Sequence, residues 1–203
     1  MVKNLLRPLS RPLNLQEGDD ILAALKEAAT SSPRAAAIVA TSLVEDALRW
    51  CLCGWLIPNV DEAQVFDNET SPLRTFNAKI IMGYSLGIYG EITRDDLHIM
   101  RYIRNAFAHS PRAITFDTPN VTTLCLRLAY LDHAEAVHSA TTHSPISSVT
   151  DPRHKLLQTA RLLIIDLYAI GSRDPPDIER FTGGMAGAVR GVVGIEGGVV
   201  SGC

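Results

Sequence analysis

The sequence predicts an all-α protein, a compact bundle of five to six helices in a single domain. Apolar residues recur at three- and four-residue spacing along most of the chain. Helix-opening signals, a capping side chain followed by proline or by acidic residues, recur with them. No run sustains the two-residue alternation of a sheet, and Ile114, Thr115 and Phe116 make at most a short extended piece.

The elements follow in order. Asp19 or Asp20 caps a first helix that runs through residue 29. Pro33 opens a long helix over 34–55, ended near Pro58, in which Ala37, Ala40, Val44, Ala47, Cys51 and Trp55 form one apolar stripe. Beside that stripe Glu45 and Arg49 are spaced for an i,i+4 ion pair. Residues 59–70 are polar and read as a loop. Ser71-Pro72 opens a helix to about residue 88, Thr118-Pro119 one to about 131, and Asp151-Pro152 one to 170. Thr93 starts another, with Asp95 and Asp96 in its first turn to match the helix dipole and Gly90 supplying the turn before it. Residues 143–150 read as a surface connection. The expected organisation is an N-terminal arm (1–15), a helical domain (16–171) and a Pro/Gly-rich flexible tail (172–203).

Composition excludes several classes. The 203 residues can bury one sizeable core, and 46% hydrophobic with 20% charged residues is a globular balance. A net charge of -3 offers no global attraction to nucleic acid. The basic arm residues Lys3, Arg7 and Arg11 are followed at once by Glu17, Asp19 and Asp20. The opening residues lack an apolar signal region, and the longest apolar stretches are too short for a bilayer, so a cytoplasmic protein without membrane contact is expected. Cys51 and Cys53 on a helix point about 200° apart, so the cysteines read as buried free thiols. No metal cluster or nucleotide fingerprint is visible, and neither a metal nor a cofactor is expected.

Gly83-Tyr84-Ser85-Leu86-Gly87 matches a nucleophile elbow by letter, but Phe76, Ile80, Tyr84 and Ile88 at four-residue spacing place Ser85 inside a helix. The two helices flanking Gly90 have helix-turn-helix lengths, yet Asp95 and Asp96 would face phosphates with like charge, which disfavours direct DNA binding. Polar chemistry and strong periodicity coincide only at Arg104-Asn105-Ala106-Phe107-Ala108-His109. Arginine offers a fixed fork of donors suited to phosphate, and histidine exchanges a proton near neutrality. His98, Arg101, Asn105 and His109 share one helix face opposite Ile99, Met100, Ile103 and Phe107. Arg104 stands about 140° from His109 in an ideal helix, so the two converge only if the helix ends or distorts there. Otherwise Arg104 pairs with a carboxylate and His109 helps satisfy terminal carbonyls.

Several linked segments carry a resemblance. They are Arg34-Ala35-Ala36-Ala37-Ile38-Val39-Ala40 with Leu43-Val44-Glu45-Asp46-Ala47-Leu48, Pro72-Leu73-Arg74-Thr75-Phe76-Asn77-Ala78-Lys79-Ile80, Gly83-Tyr84-Ser85-Leu86-Gly87-Ile88, Ile103-Arg104-Asn105-Ala106-Phe107-Ala108-His109-Ser110 and Asp151-Pro152-Arg153. In this order, over residues 16–170, the chain resembles the mannitol operon repressor (MtlR-like) family. The resemblance implies an all-helical homodimer that regulates transcription, as repressor of a mannitol or other sugar-alcohol operon, through a protein partner and without its own DNA-binding module. The Arg-Asn-x-x-x-His string is also similar to the signature of the HEPN superfamily, which includes dimeric, metal-independent endoribonucleases. That likeness implies an RNA-cleaving or RNA-binding role in which Arg104 stabilises the scissile phosphate, His109 acts as acid or base, and Asn105 orients them. The Gly-rich C-terminus and the N-terminal arm depart from the compact family pattern.

Overall fold

Small side chains set how the helices meet. The computed structural model describes residues 18–56, 60–142 and 149–172. The expected arm, the tail beyond residue 172 and the connection at 143–148 lie outside them. Among the described residues seven α-helices and one π-helical turn follow one another: α1 (Gly18–Thr30), α2 (Pro33–Gly54), the π-turn (Ala63–Asp67), α3 (Phe76–Ser85), α4 (Glu91–His109), α5 (Pro119–Leu126), α6 (Tyr130–Thr142) and α7 (Pro152–Gly171). There is no strand among the described residues.

Helix α2 is central, packing against α1, α3, α4 and, most extensively, α7. Ser32 caps it by accepting from the Ala35 amide, and Pro33 occupies the first turn, where its missing N–H costs nothing. The fully buried stripe of Ala36, Ala37, Ala40, Val44, Ala47 and Cys51 leaves little between its backbone and its neighbours. A pair of glycines lets α7 approach closely. A Cβ on Gly54 would stand 2.5 Å from the Gly171 carbonyl oxygen, and one on Gly171 would stand 2.7 Å from Cys51 Cα. Trp50 and Tyr168 pack beside this crossing with ring centroids 5.0 Å apart. At the other end of α7, Arg153 donates to the Ala28 and Ser31 carbonyls at 2.9 and 2.6 Å, satisfying the end of α1.

Several expected boundaries move. The segment expected as a loop at 59–70 contains the π-turn, held because the Ser71 hydroxyl donates to the Ala63 and Gln64 carbonyls at 3.1 and 2.8 Å. Ser71 is thereby engaged, and α3 starts later, with Thr75 accepting from the Ala78 amide. Gly87, not Gly90, makes the turn after α3. It adopts φ +68°, with Gly87 and Ile88 amides donating back to the Tyr84 and Gly83 carbonyls. A Cβ on Gly83 would meet the Tyr89 ring at 2.6–2.8 Å, so both glycines of the elbow-like string have packing or turn duties. Gly90 caps α4 in place of Thr93, which is buried.

The helix expected from 119 to 131 ends at Leu126, and a further helix, α6, begins at Tyr130. Asp96 causes the break. Expected on the surface of the first turn of its own helix, it is buried, and its carboxylate accepts the Ala129 amide at 3.0 Å and the Tyr130 amide at 2.8 Å. Lys155 of α7 completes the junction, its ammonium donating to the Leu126 carbonyl at 3.2 Å and pairing with Asp132 at 2.9 Å. One buried anion thus caps the start of α6, and one buried cation caps the end of α5. Replacing Gly171 by alanine forces the α2–α7 crossing apart; we expect a loss of about 2 kcal/mol, read as a lower Tm by calorimetry with helical content unchanged.

Candidate functional site

The last turns of α4 meet a cluster of charges built by three helices. Arg104 reaches α2, where its guanidinium donates to one oxygen of Glu45. The other oxygen of that carboxylate accepts from Lys79 of α3 at 2.6 Å. The side chains of Lys79 and Glu45 are only 7% and 14% exposed, that of Arg104 33%. A cation as buried as Lys79 is held only by such a partner. Glu45 is therefore occupied, and the expected pair with Arg49 does not form. Arg49 turns to the π-turn instead, reaching Asp67 at 3.0 Å and Glu62 at 3.6 Å with its guanidinium over the Phe66 ring.

Asp46, beside Glu45, has no hydrogen bond among the described residues. Burial, then repulsion from Glu45, pushes its carboxyl from 3.8 up to about 6 against the pull of Lys79, Arg49 and Arg104. Burial likewise pushes Cys51, Cys53 and Cys125 up to about 12, so these free thiols stay protonated. Cys51 and Cys125 are buried as expected, and Cys53 is half-buried.

Asn105 and His109 lie on the exposed outer face of α4, and neither side chain makes a hydrogen bond or ion pair among the described residues. The helix stays regular through His109, with Ser110 as its cap. Arg104 and His109 therefore keep their separation of about 140°, and within one copy the structure brings together Asn105 and His109 rather than Arg104 and His109. His98, Arg101 and Tyr102 extend the same face, with the Arg101 guanidinium 4.4 Å from the Tyr102 ring centroid. Burial and the Arg101 charge hold His98 below the ordinary histidine range.

Three contributors escaped the sequence reading. Lys79, Asp46 and Arg34 stand in the sequence only as members of longer segments. Arg34 donates from the first turn of α2 to the Ser110 and Arg112 carbonyls at 2.9 and 3.5 Å, fixing the chain just after His109. Its signal was a cation at a helix N-terminus, where the dipole disfavours it unless it has work elsewhere. The signal for Lys79 was a lone charge among Phe76, Ile80 and Gly83, the buried positions of its helix.

Neither a family model nor a curated protein matches the sequence. Solved structures do. A chain in the X-ray structure of the MtlR-HPr complex from Escherichia coli superposes with a TM-score of 0.55 at 14% identity, over 74% of this chain and 97% of that one. The crystal structure of YggD, a possible transcriptional regulator from Shigella flexneri 2a str. 2457T, gives a TM-score of 0.52 at 13% identity, over 76% and 96%. The fold is MtlR-like. No described helix is long and apolar enough to cross a membrane, and no described group of His, Cys, Asp and Glu could hold a metal ion.

Two outcomes test the cluster. Glu45→Gln strands Lys79 and Arg104, and we expect denaturant unfolding to show a loss of about 3 kcal/mol. The raised Asp46 carboxyl favours its neutral form in the native state, so its contribution is fully present below about pH 4 and lost as pH rises to about 6. Asp46→Asn should then be more stable than the parent by about 2 kcal/mol at pH 7, with the difference vanishing near pH 4 in urea titrations.

Proposed function

We propose that this chain is a transcriptional regulator of the MtlR-like kind, a repressor of a mannitol or other sugar-alcohol operon that acts as a homodimer through a protein partner. The observation that carries the reading is the likeness of fold to a chain of the MtlR-HPr complex across nearly the whole of that chain. The partner proposed for this chain is accordingly an HPr protein. The start of α4 supports the same reading. In the α3–α4 hairpin, which has helix-turn-helix lengths, Asp96 is buried as a cap and Asp95 is paired with Arg94 at 2.8 Å, so the start of α4 offers no uncompensated cation to a phosphate.

The second reading is a HEPN-type endoribonuclease or RNA-binding toxin. It draws on the solvent-facing Asn105 and His109 and on the one-third exposure of Arg104. In that reading Arg104 keeps donors beyond its bond to Glu45 for a phosphate, and a second copy supplies the missing convergence.

Titration of the full chain with HPr by calorimetry should give saturable binding, while an operator fragment alone should show no tight, salt-steep shift. Tight operator binding without any other component would refute the partner requirement. Cleavage of total RNA in chelator that is lost in both Arg104→Ala and His109→Ala would establish the second reading; no cleavage, or cleavage unchanged in those variants, removes it.

A further inference from the structure

We infer that the outer stripe of α3 is the contact between two copies of this chain, packed antiparallel about a two-fold axis near Met82; this rests on the dimeric reading above and assigns its surface. Ile81 and Met82 on α3 and Leu86 at its C-cap are 53%, 38% and 44% exposed, and with Ser85 they recur at the spacing of a single helix face. Ile92 at the start of α4 adds a further exposed apolar side chain close to them in sequence. Exposed aliphatic side chains elsewhere on the described residues, such as Leu22, Val137 and Ile165, are one to a helix. The single charge of α3, Lys79, is turned inward to Glu45, which leaves the outer stripe uncharged.

That lack of charge suits a second copy as the occupant. A two-fold axis sets each residue near it against its own copy, so any charge there would meet its like. A foreign partner imposes no such restriction. The ends of the stripe complement one another when the two helices run antiparallel. At the N-terminal end Arg74, among the described residues, makes no ion pair and donates only to the Glu69 backbone carbonyl at 3.4 Å. At the C-terminal end Glu91 lies 3.4 Å from the Tyr84 hydroxyl, with its side chain 75% exposed and only a 4.0 Å contact to Arg94. Antiparallel packing carries Arg74 of each copy toward Glu91 of the other. The interface core is apolar and the rim charged, the distribution that homodimer contacts favour. It also leaves the outer face of α4, with Arg101, Tyr102, Asn105 and His109, open on each copy.

Sedimentation of the full chain at micromolar concentration should give a dimer mass, and Ile81→Glu should weaken self-association at least tenfold while its circular dichroism stays helical. Ile165→Glu on α7 is the control and should remain dimeric. In a Cys203→Ser background, Met82→Cys should form a disulfide-linked dimer under mild oxidation, while Cys203→Ser alone should not. A dimer that survives Ile81→Glu and fails to cross-link through Met82→Cys overturns the assigned face and leaves the dimeric reading standing. A monomeric parent overturns both. If the parent is monomeric and Ile81→Glu abolishes HPr binding, the stripe belongs to that partner instead.

Discussion

Everything in this bundle is arranged around how closely other helices can come to α2. Its buried face is mostly small, with alanine, threonine, valine and cysteine beside only two leucines, Leu48 and Leu52, and where α7 crosses it even a methyl group is excluded on either side. Close approach gives many dispersion contacts for little side-chain ordering, which is how a chain with few aromatic residues fills its core. The same closeness is unforgiving, because backbone atoms at a crossing have no rotamer by which to make room. The larger side chains, Trp50 and Tyr168 among them, are pushed to the flanks of that crossing, where they seal it.

On another side of α2 the governing chemistry is electrostatic. Glu45 stands where α3 and α4 meet the central helix, and its two oxygens answer a cation from each. The arrangement fixes three helices with one carboxylate, but it crowds a second carboxyl, Asp46, into the same poorly hydrated space without a hydrogen bond of its own. Such an arrangement specifies geometry more than it stabilises, since the desolvation of the ions offsets much of their attraction. It also occupies one edge of the Arg104 fork and turns it away from the face that Asn105 and His109 present to solvent.

Much of the fold was legible because its signals are local. Ser32-Pro33, Asp151-Pro152 and the apolar periodicity of α2 and α7 each state their helix within a few residues, and those helices begin where the sequence says. What could not be read depends on partners distant in sequence. Asp96 looks like a first-turn acid, and only the arrival of residues 129 and 130 makes it the cap of another helix and divides the segment after Thr118 in two. Ser71 likewise looks like a cap until the carbonyls of the π-turn claim its hydroxyl. At the candidate site the sequence singled out Arg104, Asn105 and His109. It paired Glu45 with Arg49 because spacing along one helix is visible, while the competing claims of Lys79 and Arg104 arise only when three helices come together.

The anchoring of α6 has a mechanical side. The carboxylate that seats its first turn belongs to α4, the helix whose outer surface carries Arg101, Tyr102, Asn105 and His109. Asp96 and Arg101 lie less than two turns apart on one stiff rod. A visiting molecule that leaned on that surface would press on the rod within two turns of the carboxylate that roots α6, and the push would be felt there as a tug.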